Sequence, residues 1–194
     1  MKNFLTWLHE EEQKVDVYSQ HYIPYLQQQE GWRASRYKDT AGHPTVGHGF
    51  LIDDSFDETL KQNFPDKPES WRQGIISGSG EMTPEEGKTV LSSLGRQKFD
   101  QARSMVGEQR FDAMSPELQT YIASENYRGM LGKSPKALNL IRSGDYVGAS
   151  KEYLNAKEFR ENQNNSRGLR MKDLADTLAK QPPWTPPEPP KQDQ

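Results

Sequence analysis

The sequence predicts a mostly helical α+β fold with one small antiparallel sheet. Helix starts recur along the chain, several of them with a capping hydroxyl directly before a proline. Only residues 36–52 combine an alternating pattern with closely spaced glycines, which is typical of short strands joined by tight turns. The 194 residues suffice for one compact domain or for two small lobes sharing a core.

The elements follow in chain order. Residues 1–20 have amphipathic spacing and predict a helix, and a second helix is predicted over 22–30 with Gly31 as its C-terminal cap. The sheet of 36–52 comes next. Later helices are predicted to start at Phe56, Glu69, Thr83-Pro84, Ser115-Pro116, Ser134-Pro135, Asp145 and Leu169. Of these, the helix after Thr83 has the clearest signature, because Glu86 completes a capping box.

These elements divide the chain into three parts. Residues 1–21 form an N-terminal helical extension, and residues 22–180 form the main domain. Within that domain we expect a small β lobe at about 31–55 and a helical lobe at about 82–180. Residues 181–194 are rich in proline and predict an extended, disordered tail.

Composition excludes several classes of function. The formal net charge is -3 and the sequence pI is about 5.9, so no basic footprint for nucleic acid is present. The absence of cysteine excludes disulfides, a thiol nucleophile and thiolate metal sites. No apolar run is long enough for a signal peptide or a membrane span. We therefore expect neither export through a signal peptide of this chain nor stable membrane insertion. We also expect a monomer.

Three side chains around the predicted sheet could carry acid–base chemistry. Glu30 lies at a helix end, where neighbouring carbonyl groups disfavour an ionised carboxylate, and this suits a general acid. Asp39 lies on an open hairpin, where it can stay ionised, and Thr45 follows six residues later. Taken singly, each of these residues is more simply a surface or turn residue. Together they suit cleavage of a glycosidic bond.

The same stretch resembles a known family. Glu-Gly-x-Arg at 30–33, Tyr-x-Asp-Thr at 37–40 and Gly-x-x-Thr-x-Gly-x-Gly at 42–49 are similar to the signature of glycoside hydrolase family 24, the T-even phage lysozyme type. A weaker likeness extends over roughly 22–179. The chain departs from the pattern at Phe50, where the family often has histidine.

The resemblance implies a fold, an activity and a set of residues. It implies a lysozyme-like two-lobed enzyme that hydrolyses the β-1,4 bond between N-acetylmuramic acid and N-acetylglucosamine, with inversion and without a metal or other cofactor. Glu30 would be the general acid, and Asp39 with Thr45 would position the attacking water. The substrate-binding residues would be Trp32, Tyr37, His48, Asn126 and Arg167. In the family an arginine pairs with the catalytic glutamate, and here Arg167 and Arg170 both fit this role.

Alternatives stay open at this point. Trp32 and Tyr37 could stack on a sugar ring or belong to the hairpin core. His43 and His48 lack the spacing of a zinc site, so we expect no metal. The rival functions are a lytic transglycosylase and a non-catalytic virion or cell-wall-binding component. The expected partner is the peptidoglycan glycan strand, and a phage structural protein could bind residues 1–20 or the tail. We expect the protein in the host cytoplasm until its release to the periplasm, or in the virion.

Overall fold

The computed structural model describes residues 16–39 and 41–185. It is mostly helical with one three-stranded antiparallel sheet, which confirms the α+β class. The chain divides into two compact units, one up to Lys98 and one from Phe99. Most of the predicted 1–20 helix, and the proline-rich segment after residue 185, lie outside the described residues.

The first unit begins with a helical segment that has two geometries. Tyr18–Tyr22 is π-helical and leads without a break into α1, Ile23–Glu30, so the structure has no interruption at residue 21. Pro24 gives a physical reason, because proline cannot donate to the carbonyl four residues earlier and its ring clashes with that carbonyl. The Arg96 guanidinium lies 3.5 Å from the centre of the Tyr18 ring, and the Tyr18 hydroxyl donates to the Ser92 carbonyl.

The sheet has the order β1-β2-β3. Its strands are β1, Arg33–Lys38; β2, Pro44–Gly47; and β3, Phe50–Leu51. Tyr37 pairs with Thr45, and Val46 pairs with Phe50. Gly47 and Gly49 have φ of 66° and 80°, so the tight turn into β3 uses backbone conformations that other residues rarely adopt.

Three helices complete the first unit, and the third continues into the second unit. They are α2, Phe56–Asn63; α3, Glu69–Ser77; and α4, Pro84–Val106. The predicted capping box at the start of α4 is confirmed. The Thr83 N–H donates to Oε2 of Glu86 at 2.8 Å, and the Glu86 N–H donates to Oγ1 of Thr83 at 3.2 Å. Lys67 Nζ lies 2.8 Å from the same Glu86 carboxylate.

The core of the first unit lies between the sheet and these helices. Its largest fully buried side chains come from the helices and from the segment before α4: Tyr22, Leu26, Leu60, Ile75, Met82 and Leu91. Val46 and Phe50 bury the inner face of the hairpin, and Phe50 stacks on Phe56 with ring centres 6.3 Å apart. The hairpin is therefore fixed to the helices by apolar packing, while its β1–β2 loop stays at the surface.

The second unit is helical. After α4 its helices are α5, Glu108–Asp112; α6, Pro116–Tyr127; α7, Pro135–Ser143; α8, Tyr146–Leu154; α9, Lys157–Asn162; and α10, Ser166–Lys180. The predicted caps at Ser115 and Asp145 are confirmed, since their side chains accept from the N–H groups of Leu118 and Gly148. The Ser134 side chain makes no capping hydrogen bond, although α7 begins after it.

Two features of the second unit were not visible in the sequence. Glu125, with 1 % of its surface exposed, accepts from Arg128 at 2.7 Å and from the Tyr153 hydroxyl. The segment after α10 has no regular secondary structure at 182–185, and its Trp184 packs on Arg110, with 4.1 Å from the guanidinium carbon to the ring centre. The start of the predicted tail thus contacts the second unit.

Candidate active site

Glu30 is the last residue of α1 and is half-buried. Gly31 follows with φ 66° and ψ -165°, which turns the chain from the helix into β1. A Cβ atom placed on Gly49 would lie 3.7 Å from Oε2 of Glu30. The Glu30 carboxylate therefore lies beside the β2–β3 turn, at a position where the glycine leaves open space.

Asp39 follows β1 and shapes the loop to β2. Its Oδ1 accepts from the N–H groups of Ala41 at 2.9 Å and His43 at 2.8 Å, and its Oδ2 lies 3.4 Å from Nδ1 of His43. The backbone hydrogen bond from His43 is the main cause that lowers the pKa of Asp39; the N–H of Ala41 adds to it. The carboxylate is consequently ionised across the neutral range, as expected from the sequence.

Thr45 lies on the central strand and is buried, with 3 % of its surface exposed. Its hydroxyl donates to the His43 carbonyl at 3.1 Å. The same residue, His43, thus contacts both Asp39 and Thr45. The hydroxyl oxygen keeps its acceptor capacity, because a hydroxyl that donates one hydrogen bond can still accept.

The charges of both Glu30 and Asp39 influence the pKa of Tyr37. It is half-buried, and the Arg33 guanidinium carbon lies 4.5 Å from its ring centre. Burial raises the pKa of Tyr37; Arg33 opposes this, and the charges of Asp39 and Glu30 add to it. The negative charges of both carboxylates thus act in the same direction on the Tyr37 phenol group.

Trp32 and His48 pack against each other. Their ring centres are 5.0 Å apart. The Trp32 ring also fills the space above Gly87 on α4, where a Cβ atom would lie 1.9 Å from a ring carbon. Trp32 is therefore packed between hairpin and helix, yet it also borders an open groove of about 470 Å³. The groove is lined by Gln27, Trp32, His48, Pro84, Glu85 and Lys88.

His48 is buried, with 7 % of its surface exposed. Its Nδ1 forms a hydrogen bond with the carbonyl of Gly31. Burial lowers the pKa of His48, while the Gly31 carbonyl and the charge of Glu30 oppose the change. The imidazole is therefore neutral near pH 7, and Nδ1 carries its proton because a carbonyl can only accept.

The remaining two predicted site residues belong to the second unit. Asn126 is buried and donates to Oε1 of Gln101 at 3.2 Å. Arg167, at the start of α10, donates to Oε1 of Glu158 at 2.6 Å. Within their own unit both side chains thus have intramolecular partners. Arg170 is half-buried one turn further along the same helix.

Sequence reasoning missed the role of His43. The sequence suggests for His43 only a metal-ligand role, whereas in the structure its backbone N–H and ring contact Asp39 and its carbonyl accepts from Thr45. The spacing Asp-x-x-x-His in a turn was the available indication. Among residues 16–39 and 41–185 no group of three or more acidic or histidine side chains could hold a metal ion.

No family model matches the chain, and no curated protein shows significant similarity to it. In the described part of the chain, every helix is too short or too polar to cross a bilayer.

Proposed function

We propose that this protein is a glycoside hydrolase that cleaves peptidoglycan as a muramidase, with a lysozyme-like two-lobed fold. The observation that supports it most is the placement of two carboxylates on the first unit at the two ends of the segment that carries β1, with Glu30 at the end of α1 and Asp39 after β1. Asp39 is held ionised by the loop that it shapes, and Glu30 lies at the open position beside Gly49. The choice of peptidoglycan rests on the resemblance of residues 30–49 to family 24.

The proposed reaction needs one proton donor and one proton acceptor. Glu30 donates its proton to the glycosidic oxygen as the bond from that oxygen to the anomeric carbon breaks. Asp39 accepts a proton from the water that attacks the anomeric carbon from the opposite face, and Thr45 helps to orient this water. The products are two glycan chains, one with a new reducing end, and inversion requires the two carboxyls to be roughly 6.5–9.5 Å apart.

Mass spectrometry of digested peptidoglycan tests the proposal. Purified peptidoglycan is incubated with the wild type, Glu30→Gln and Asp39→Asn, and the released muropeptides are analysed. We expect reducing-end muropeptides from the wild type and a loss of at least about 100-fold in both variants, because general acid and base groups each contribute this much or more. Glu69→Gln, which changes an exposed carboxylate at the start of α3, is the matched control and should digest like the wild type.

Other products would identify a rival activity. Anhydro-muropeptides, one water lighter and still released by Asp39→Asn, would show a lytic transglycosylase, which uses no water as nucleophile. A folded wild type that releases nothing but still sediments with peptidoglycan would show a binding component. Either result would overturn the hydrolase proposal.

A further inference from the structure

His48 connects the β2–β3 turn to the end of the helix that carries Glu30. Its Nδ1–H donates to the carbonyl of Gly31, which is the residue directly after Glu30. The last carbonyl groups of a helix have no partner within the helix, so a donor from elsewhere stabilises the way the chain leaves it. The hydrogen bond therefore acts on the residue that directly follows Glu30, at the end of α1.

The imidazole itself is held by its neighbours. Its ring centre lies 5.0 Å from that of Trp32 and 6.2 Å from that of Phe50, which meets it edge-on. The Trp32 ring is in turn fixed against Gly87, and the Phe50 ring is buried in the core of the first unit. The direction of the Nδ1–H bond is thus determined by packing, which is the condition for one side chain to orient another precisely enough to matter for catalysis.

The backbone conformation of Gly31 explains why this hydrogen bond matters for the position of Glu30. Its φ of 66° and ψ of -165° lie outside the conformations open to other residues, and glycine has the largest freedom to leave such a state. Nothing in the backbone preference of Gly31 selects this conformation over its alternatives. The hydrogen bond from His48 favours it, because in this conformation the Gly31 carbonyl accepts from Nδ1.

We propose that His48 is a positioning residue for Glu30. The structure assigns it the task of locking the Gly31 peptide, and thereby the direction in which the Glu30 carboxylate points beside Gly49. This differs from a role in holding substrate, which the resemblance implied. The inference rests on the proposed function, since a positioning role presupposes that Glu30 is the general acid.

Three substitutions separate the hydrogen bond from the bulk of the ring. His48→Asn places an amide N–H close to the position of Nδ1, His48→Gln places it further out, and His48→Leu removes it. We expect kcat to fall about 10- to 100-fold in the Leu and Gln variants with KM changed less than about threefold, because a misplaced catalytic group affects the chemical step more than binding. His48→Asn should recover most of kcat. His21→Asn, at an exposed histidine of the same unit, is the control and should behave like the wild type.

Two readouts keep this inference separate from the proposed function. The ¹⁵N chemical shifts of the imidazole report which nitrogen is protonated, and we expect Nδ1–H in the wild type whether or not the protein turns over peptidoglycan. Near-UV circular dichroism checks that Trp32 keeps its environment in each variant. A wild type without turnover overturns the proposed function and the positioning role together, although the tautomer would stand. With an active wild type, equal losses of kcat in the Asn and Leu variants, or a loss confined to KM, would overturn the positioning role alone.

Discussion

The contact between Trp32 and Gly87 predicts opposite effects for two glycine-to-alanine substitutions. Gly87 lies in α4 and Gly74 in α3, so alanine improves helix propensity by about 1 kcal/mol at either position. At Gly74 the new methyl group would have its nearest neighbours at 3.7 Å, an ordinary contact. At Gly87 it would lie 1.9 Å and 2.4 Å from two carbons of the Trp32 ring. The ring must therefore move, and overpacking of this kind costs about 1–3 kcal/mol.

The two terms give a net expectation for each variant. Gly74→Ala should be more stable than the wild type by about 1 kcal/mol, or roughly 2–4 °C in Tm for a chain of this length. Gly87→Ala should gain the same propensity and lose more to the clash, ending up to about 2 kcal/mol less stable than the wild type. Its Trp32 ring should also lose its place beside His48, which changes the near-UV circular dichroism.

Chemical unfolding followed by far-UV circular dichroism measures both changes. If Gly87→Ala were as stable as Gly74→Ala and kept the wild-type near-UV spectrum, the packing of Trp32 against α4 would be refuted. The position of His48 would then lose its support as well, because the Trp32 ring is one of the two that hold the imidazole.

Three further predictions concern hydrogen bonds. The hydrogen-bond partners of Asp39 lower its pKa, so the ionised carboxylate stabilises the fold above its ordinary pKa of 3.8, and this stability is lost as the pH falls through the lowered value. In urea unfolding between pH 6 and pH 2, the free energy of unfolding should therefore fall less for Asp39→Asn than for the wild type. Equal decreases would contradict the loop geometry. Thr83→Ala should lower the free energy of unfolding by about 1 kcal/mol through the lost cap, whereas Thr89→Ala, in the middle of the same helix, should not lower it. Tyr153→Phe removes a donor from buried Glu125 and should cost about 1–3 kcal/mol in thermal or chemical unfolding; a neutral effect would show that Arg128 alone satisfies this carboxylate.

The sequence predicts those structural features that depend on residues close together in the chain, such as helix caps. The capping box of Thr83 and Glu86 and the cap of Asp145 depend on residues three apart, so their geometry follows from the sequence once a helix forms. The short helices α5 and α9 were missed for the complementary reason. Gly107 and Ala156 precede these helices and provide no side-chain cap, so the sequence contains no capping signal for the start of either helix.

The sequence predicts candidate site residues, but it does not predict the contacts that these residues make. The motif indicated Glu30, Asp39 and Thr45, and the structure shows how two of them are linked through His43. The contact of Trp32 with Gly87 joins residues 55 positions apart by number, and no periodicity or propensity reports it. Side-chain orientation across such distances depends on packing of the whole unit, which a single sequence does not display.

Trp184 and Gln181 limit how far the second unit can be shortened from the C-terminal side. Its backbone and Cβ lie over Gly144, where a methyl group would meet them at 3.3 Å, and Gln181 donates to the Ser115 hydroxyl at 3.0 Å. A fragment ending at 180 would leave Arg110 without its aromatic partner, whereas one ending at 185 would keep it. Truncation after residue 180 should therefore lower the melting temperature, because it removes both the contact of Trp184 with Arg110 and the hydrogen bond of Gln181 to Ser115.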